Sequence, residues 1–281
     1  MENQGDFSST IGLIAGNRRL PLEFCRIFKN NNPQAKIYAV CIKGDTSSEI
    51  NRLADTCFWI GPQAFSKARD FFLENDVRKV IFLGQITPLR LFREYNRFDP
   101  QIKSLLGNLE DWRPDTIFRT LAKYLEEKDI EILDSRSFLE SILSPGGVFS
   151  SRYPTPQERK DIELGLEVAT KISNLDVGQT IVVKNRMVIS VEAFEGTDAC
   201  ILRARKLSFF RKGGVVVKIA GKNQDLRFDI PTVGVRTLKV MKRAGLSCLA
   251  LEEEKTFILE KQRFIEFANK NSISLVGLRV S

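Results

Sequence analysis

Short, unbroken apolar runs punctuate the first half of the chain at residues 11–15, 37–42, 57–60 and 80–83, each bounded by polar or glycine-containing stretches. Runs this short read as buried strands. Between them, residues 20–29 and 65–75 repeat their apolar positions at helical spacing. The alternation is that of a parallel, doubly wound sheet, and it predicts an N-terminal Rossmann-like domain. After residue 83 the pattern loosens. GQITPLRLFREYNRFDPQIKSLLG mixes a proline-interrupted stretch with apolar and basic residues, a candidate lining for a ligand cleft.

The texture changes near Ser144, where SPGGVFSSRYPTPQERKD brings glycines, prolines and serines together. A helix with Ile162, Leu166, Ala169 and Ile172 on one face follows. Residues 180–183 and 187–191 flank Lys184-Asn185-Arg186 as a hairpin. Strands are expected at 215–219, 248–251 and 257–259, and helices at 235–244 and 261–269. The reading is therefore α/β throughout: an N-terminal Rossmann-like parallel-sheet domain over 1–145, a linker over 146–160 and a separate C-terminal α/β domain over 161–281.

Composition narrows the chemistry. With 281 residues, 43% of them hydrophobic, the chain can build two cores. No apolar run approaches the roughly 18–20 residues of a membrane span, and MENQGDFSST lacks the features of a signal peptide, so a cytoplasmic location is expected. The five scattered cysteines include no CxxC pair and read as buried thiols. There is no histidine. That excludes histidine-dependent triads, imidazole bases and His-ligated zinc, and leaves carboxylates, lysines, hydroxyls and backbone amides. Any metal held by oxygen ligands alone would be Mg²⁺ or Mn²⁺ rather than zinc. A formal charge of +8 points to an anionic partner, with basic residues concentrated in RARKLSFFRKGGVVVK and RTLKVMKR.

Three segments carry candidate chemistry. IGLIAGNRRLP is a strand, a glycine turn and a helix start, the setting in which backbone amides cradle phosphate. It is not a full GxGxxG, because Arg18 and Pro21 stand at the second and third glycine positions. EAFEGTDACILRAR is expected to place Glu192, Glu195, Gly196, Thr197 and Asp198 on a loop leaving a sheet edge. Carboxylates so clustered persist if solvated, paired with Arg203 and Arg205, or bound to a cation. VVVKIAGKNQDLRFDIPTVG runs from a strand through Lys218, Gln224, Asp225, Arg227 and Asp229, offering cationic donors for phosphate and carboxylates for a metal.

These segments, with PGGVFSSRYPTPQERKDIELGLEVA and GQTIVVKNRMVISVEAFEGTD, resemble the bacterial UDP-2,3-diacylglucosamine diphosphatase family, in the form unrelated to the calcineurin-like phosphoesterases. The resemblance extends over nearly the whole chain, in order, and is most specific in the second domain. It implies cleavage of UDP-2,3-diacylglucosamine to 2,3-diacylglucosamine 1-phosphate and UMP, a cytoplasmic, Mg²⁺- or Mn²⁺-dependent step of lipid A assembly, by a homodimer. It makes Asp229 the catalytic acid in a C-terminal catalytic domain, and Glu195, Asp198, Asp225 and Asp229 the metal set. Gly16, Thr197, Lys218, Gln224 and Arg227 become substrate-binding. The chain departs from the family at Asn17 and Arg18, where many members carry further glycine.

The substrate is expected in a cleft between the domains, with Leu89, Leu91, Phe92, Leu105 and Leu106 either contacting acyl chains or filling core. Peripheral contact with the inner membrane would be aided by the basic clusters and the acyl chains. The main rival is a non-catalytic nucleotide-sugar-binding regulatory protein. A nucleic-acid-binding module explains the charge but lacks a recognition motif, and no nucleic-acid partner is expected.

Overall fold

The computed structural model describes residues 10–84, 94–109, 111, 114–207, 212–221, 225–228 and 230–280. Two compact units share the chain: residues 1–139 with Asp225–Asp229, and 140–224 with 230–281.

The first unit is built on β1 (Thr10–Ala15), β2 (Lys36–Ile42), β3 (Thr56–Ile60), β4 (Lys79–Leu83) and β5 (Glu131–Ile132). All pair in parallel in the order β3-β2-β1-β4-β5, the doubly wound arrangement expected from the alternating pattern. The helices are α1 (Leu20–Asn31), α2 (Ser66–Glu74), α3 (Pro100–Gly107) and α4 (Pro114–Glu126). On α1, Leu20, Leu22, Phe24, Cys25 and Phe28 are buried, and the Phe24 and Phe28 rings stack at 5.2 Å. The last helix was not anticipated, although Ile117, Phe118, Leu121, Ala122 and Leu125 form its buried stripe. Ile102 and Leu106 of α3 belong to the same core as Phe72 and Phe82, and Leu105 packs against it.

A segment from far along the chain completes this core. Phe228 is 5% exposed, and its ring meets Phe82 edge-on at 5.4 Å. Beside it, Arg227 pairs with Asp225 at 2.9 Å and Glu126 at 3.2 Å.

The second unit contains β6 (Gly147–Val148), α5 (Pro156–Asn174), β7 (Thr180–Lys184), β8 (Met187–Val191), α6 (Thr197–Leu207) and β9 (Val215–Lys218). It continues with β10 (Thr232–Val233), α7 (Val235–Ala244), β11 (Cys248–Glu252), β12 (Phe257–Ile258), α8 (Lys261–Lys270) and β13 (Ser274–Leu278). Its main sheet has the order β6-β13-β11-β9-β7-β8, with β9, β11 and β13 parallel and β7 antiparallel to β9. The small pair β10-β12 stands apart. One core joins α5 to Ile181, Val183, Val215 and Val217, and another packs α6, α7 and α8 on Val182, Val216 and Leu249.

Two devices fix α5 against its sheet. A capping box closes its start, with the Thr155 hydroxyl accepting from Glu158 N and the Glu158 carboxylate accepting from Thr155 N. Arg152 then binds the same buried Glu158 at 2.7 Å, which ties down the glycine- and proline-rich junction. Farther along, buried Asp161 accepts from the amides of Asn185 and Arg186 at 3.0 and 2.7 Å. Those two residues form the β7-β8 turn with φ of 51° and 59°, and the carboxylate satisfies donors that the tight hairpin leaves over.

Candidate active site

The strongest polar constellation lies where β8, β9 and β11 end, the edge of an α/β sheet at which ligands are usually received. Lys218 closes β9 and is 5% exposed. Register places it opposite Thr180, the first residue of β7. Its ammonium donates to Thr197 Oγ1 at 3.0 Å and lies 3.5 Å from Thr180 Oγ1. Glu192, just past β8 and 8% exposed, supplies the countercharge at 3.8 Å. Its Oε1 accepts from Thr197 Oγ1 at 2.9 Å, and its Oε2 is buried without a hydrogen bond. A cation, two hydroxyls and a carboxylate thus meet at the N-terminus of α6, whose first amides and dipole favour anions.

Two further contacts hold the chain leaving β9. Ile219 N donates to Gln179 O at 3.1 Å, and Ala220 N donates to Glu252 Oε2 at 2.8 Å. Glu252 ends β11, is 3% exposed and is also paired with Lys255 at 2.7 Å. It was not singled out from sequence, and its signal would have been a charged residue directly closing an apolar strand. Glu192 stands out in the sequence only as one of a carboxylate group.

The sequence expectations meet the structure unevenly. Thr197 and Lys218 come together, but Thr197 and Asp198 lie on the first turn of α6 rather than on a loop. The loop ends earlier because Gly196, at φ +82°, reverses the chain. Glu195 binds Arg203 and accepts from Ala193 N at 3.1 Å; a hydrogen bond from its own backbone first, and then these two, outweigh burial and hold its carboxyl below the ordinary value. Asp198 pairs with Arg236 at 2.8 Å. Asp225 and Arg227 belong to the first unit. Burial pushes the Asp225 carboxyl up, but hydrogen bonds and charge from Arg227 outweigh it and lower its pKa. Gln224 and Asp229 lie outside the described residues, as do Leu89, Leu91 and Phe92.

Glu195, Asp198 and Asp225 each already hold an arginine. Among the described residues, no group of three or more His, Cys, Asp or Glu side chains converges to hold an ion. The described carboxylates do not form a divalent-cation cage.

Gly16 stands in the first unit, directly after β1, and its amide donates to Leu83 O at 2.8 Å. Gly84 follows β4 at φ +81°, and a Cβ there would strike Asn17 O and come within 3.0 Å of Gly16 C. The loops after β1 and β4 thus touch where the strand order reverses, the usual ligand crevice of such sheets. Arg18, at φ 69°, occupies a backbone conformation that the missing glycine would adopt freely.

Sequence models for the LpxI N-terminal domain and the LpxI C-terminal domain match residues 10–142 and 145–276, in that order. The chain belongs to the LpxI family. A curated relative, UDP-2,3-diacylglucosamine pyrophosphatase LpxI of Caulobacter vibrioides, is 31% identical over 170 residues. The match takes in 58% of this chain and spans 61% of the relative's length. Among solved structures, the biotin carboxylase domain of a thermophilic 2-oxoglutarate carboxylase, bound to ADP, aligns at 11% identity and a TM-score of 0.24. It covers 61% of this chain and 34% of that one, and the likeness is too slight to bear on fold or ligand. Among the chain's described residues, no helix is long and apolar enough to cross a membrane.

Proposed function

We propose that the protein hydrolyses the diphosphate of UDP-2,3-diacylglucosamine, releasing UMP and 2,3-diacylglucosamine 1-phosphate. The observation that carries this reading is the similarity to the Caulobacter pyrophosphatase within a chain that matches both LpxI domains in order. The chemistry of the second-unit site supports it. Diphosphate cleavage requires donors aimed at phosphoryl oxygens where negative charge builds up. In this reading Lys218 supplies a fixed cation, Thr197 a hydroxyl and the start of α6 its amides. Glu192 keeps the lysine and the hydroxyl oriented before substrate arrives.

Asp229 acts as the acid–base group, on the strength of the family resemblance. On the same ground, Gly16, Gln224 and Arg227 are substrate-binding residues. Dependence on Mg²⁺ or Mn²⁺ enters from the resemblance alone, because Glu195, Asp198 and Asp225 of the implied ligand set are each already engaged by an arginine. Such an ion would neutralise diphosphate charge. The reading further takes the enzyme as a cytoplasmic homodimer in peripheral contact with the inner membrane, since an acylated substrate partitions into lipid.

The decisive assay follows UMP release from UDP-2,3-diacylglucosamine in detergent micelles, with Mg²⁺, with Mn²⁺ and with chelator. Release that requires the metal supports both parts. Release that survives exhaustive chelation removes the metal from the mechanism, and no release under any condition overturns the proposed activity.

A further inference from the structure

The fold unites two basic runs that are separate in the sequence. Helices α6 and α7 cover the same face of the second sheet, packed in one core and joined by the Asp198–Arg236 ion pair. Inward, α6 buries Cys200, Ile201 and Ala204, and α7 buries Thr237, Leu238, Val240 and Met241. Outward, α6 presents Arg203, Arg205 and Lys206, and α7 presents Arg236, Lys239, Lys242 and Arg243. Apart from Asp198, every charged residue on the two helices is basic.

Large apolar side chains are also exposed on α6 and on the loop that enters it. Leu202 is 40% exposed, Leu207 55% and Phe194, in the loop entering α6, 81%. Loop and helix border a shallow, open depression of about 610 Å³ lined by Val177, Val191, Ala193, Glu195, Ala199 and Arg203. An open phenylalanine and part-open leucines on elements that carry an excess of cations are costly in water and are matched by few partners.

We propose that this surface, formed by α6, α7 and the β8–α6 loop, docks on an anionic lipid bilayer. Its cations attract acidic headgroups, while Phe194, Leu202 and Leu207 enter the boundary with the acyl chains. A nucleic-acid backbone would satisfy the cations but leave the apolar side chains in water. A second copy would bring like charges face to face across a two-fold axis. The need for such a surface rests on the proposed function, because the substrate resides in lipid and Thr197 of the candidate site begins the docking helix. The surface itself does not depend on that reading.

The test uses the full-length protein, sedimented with vesicles of phosphatidylcholine alone or mixed with phosphatidylglycerol, at low and high salt. Two variants, L202S/L207S and R205E/K206E, are compared, with micellar hydrolysis as the check on folding and chemistry. Wild type should bind mixed vesicles, ignore neutral ones and release in high salt. R205E/K206E should lower the bound fraction by about tenfold or more, from about 1 kcal/mol per charge near a lipid surface, and L202S/L207S should lower it several-fold. Both should retain micellar hydrolysis. Wild type that binds no vesicles, or variants that bind as well as wild type, would overturn the proposal. So would preferential binding of duplex DNA, or a dimer that L202S/L207S dissociates. Vesicle binding as expected without micellar hydrolysis by wild type would leave the docking surface standing and reject the activity.

Discussion

Lys218 and Glu192 form a nearly buried charge pair at the sheet edge, and removing one partner tests two roles at once. Lys218→Met should lower kcat/KM by about 10²- to 10³-fold, the usual loss of one donor aimed at developing charge. It should also destabilise the fold by roughly 3–5 kcal/mol, because Glu192 would keep a buried charge without its counterion. Adding Glu192→Gln to Lys218→Met removes that charge, so stability should return while activity does not. Melting temperature and kcat/KM measured on all three proteins check this. Recovery of both quantities in the double variant would show that Lys218 serves stability alone. Sequence made Lys218 and Thr197 visible because each falls in a motif with family resemblance. It gave no role to Glu192 and no notice to Glu252, because their importance comes from strands brought into register far from them in the chain.

Among the elements, α5 shows how closely a helix can be fitted to the strand that ends at the site. Gly165 faces β9, and a Cβ there would lie 2.5 Å from Val217 Cγ2 and 3.2 Å from a Val183 methyl. Gly165→Ala would gain about 1 kcal/mol of helix propensity. Overpacking against two close-packed strands costs about 1–3 kcal/mol, so the clash should win. The expected result is a net destabilisation of up to about 2 kcal/mol in denaturant titration, with reduced turnover because Val217 adjoins Lys218. A more stable variant would mean that the helix and strand separate freely. The same elements show what could be read in advance. The hairpin turn at Asn185-Arg186 and the Ile162–Ala169 stripe followed from local pattern. By contrast, α6 is hard to read because its buried face is narrow, with Ile201 between small Cys200 and Ala204, while Leu202 and Leu207 are exposed. Strand β13 is hard to read as well. Its glycine, Gly277, breaks the apolar run and is required because a Cβ would collide with Pro145 O.

At the level of the whole molecule, acid stability follows from carboxylates held by cations. Burial raises Asp55, Glu158 and Asp225, but in each case hydrogen bonds and a neighbouring cation outweigh it and lower the folded-state pKa. The ordinary values are 3.8 for Asp and 4.5 for Glu. A lowered folded value means that the unfolded chain takes up protons first as pH falls. Stability from these groups is therefore complete above the ordinary values and is lost as pH drops through the folded ones. The melting temperature should fall steeply below about pH 4.5, and Glu158→Gln should flatten that fall. An unchanged slope in Glu158→Gln would remove Glu158 from the account.

Least visible in the sequence was the seating of Phe228 among the aromatic residues of the first unit, since nothing in DLRF signals a partner so far upstream. That seating bears on descent and on recombination. The two family domains divide the chain at residues 142 and 145, as though each were a transferable cassette. Yet the N-terminal cassette borrows one of its interior aromatic rings from the other's coding sequence. Spliced to a foreign partner at that boundary, it would carry a hole beside Phe82, so the two cassettes are expected to be inherited together.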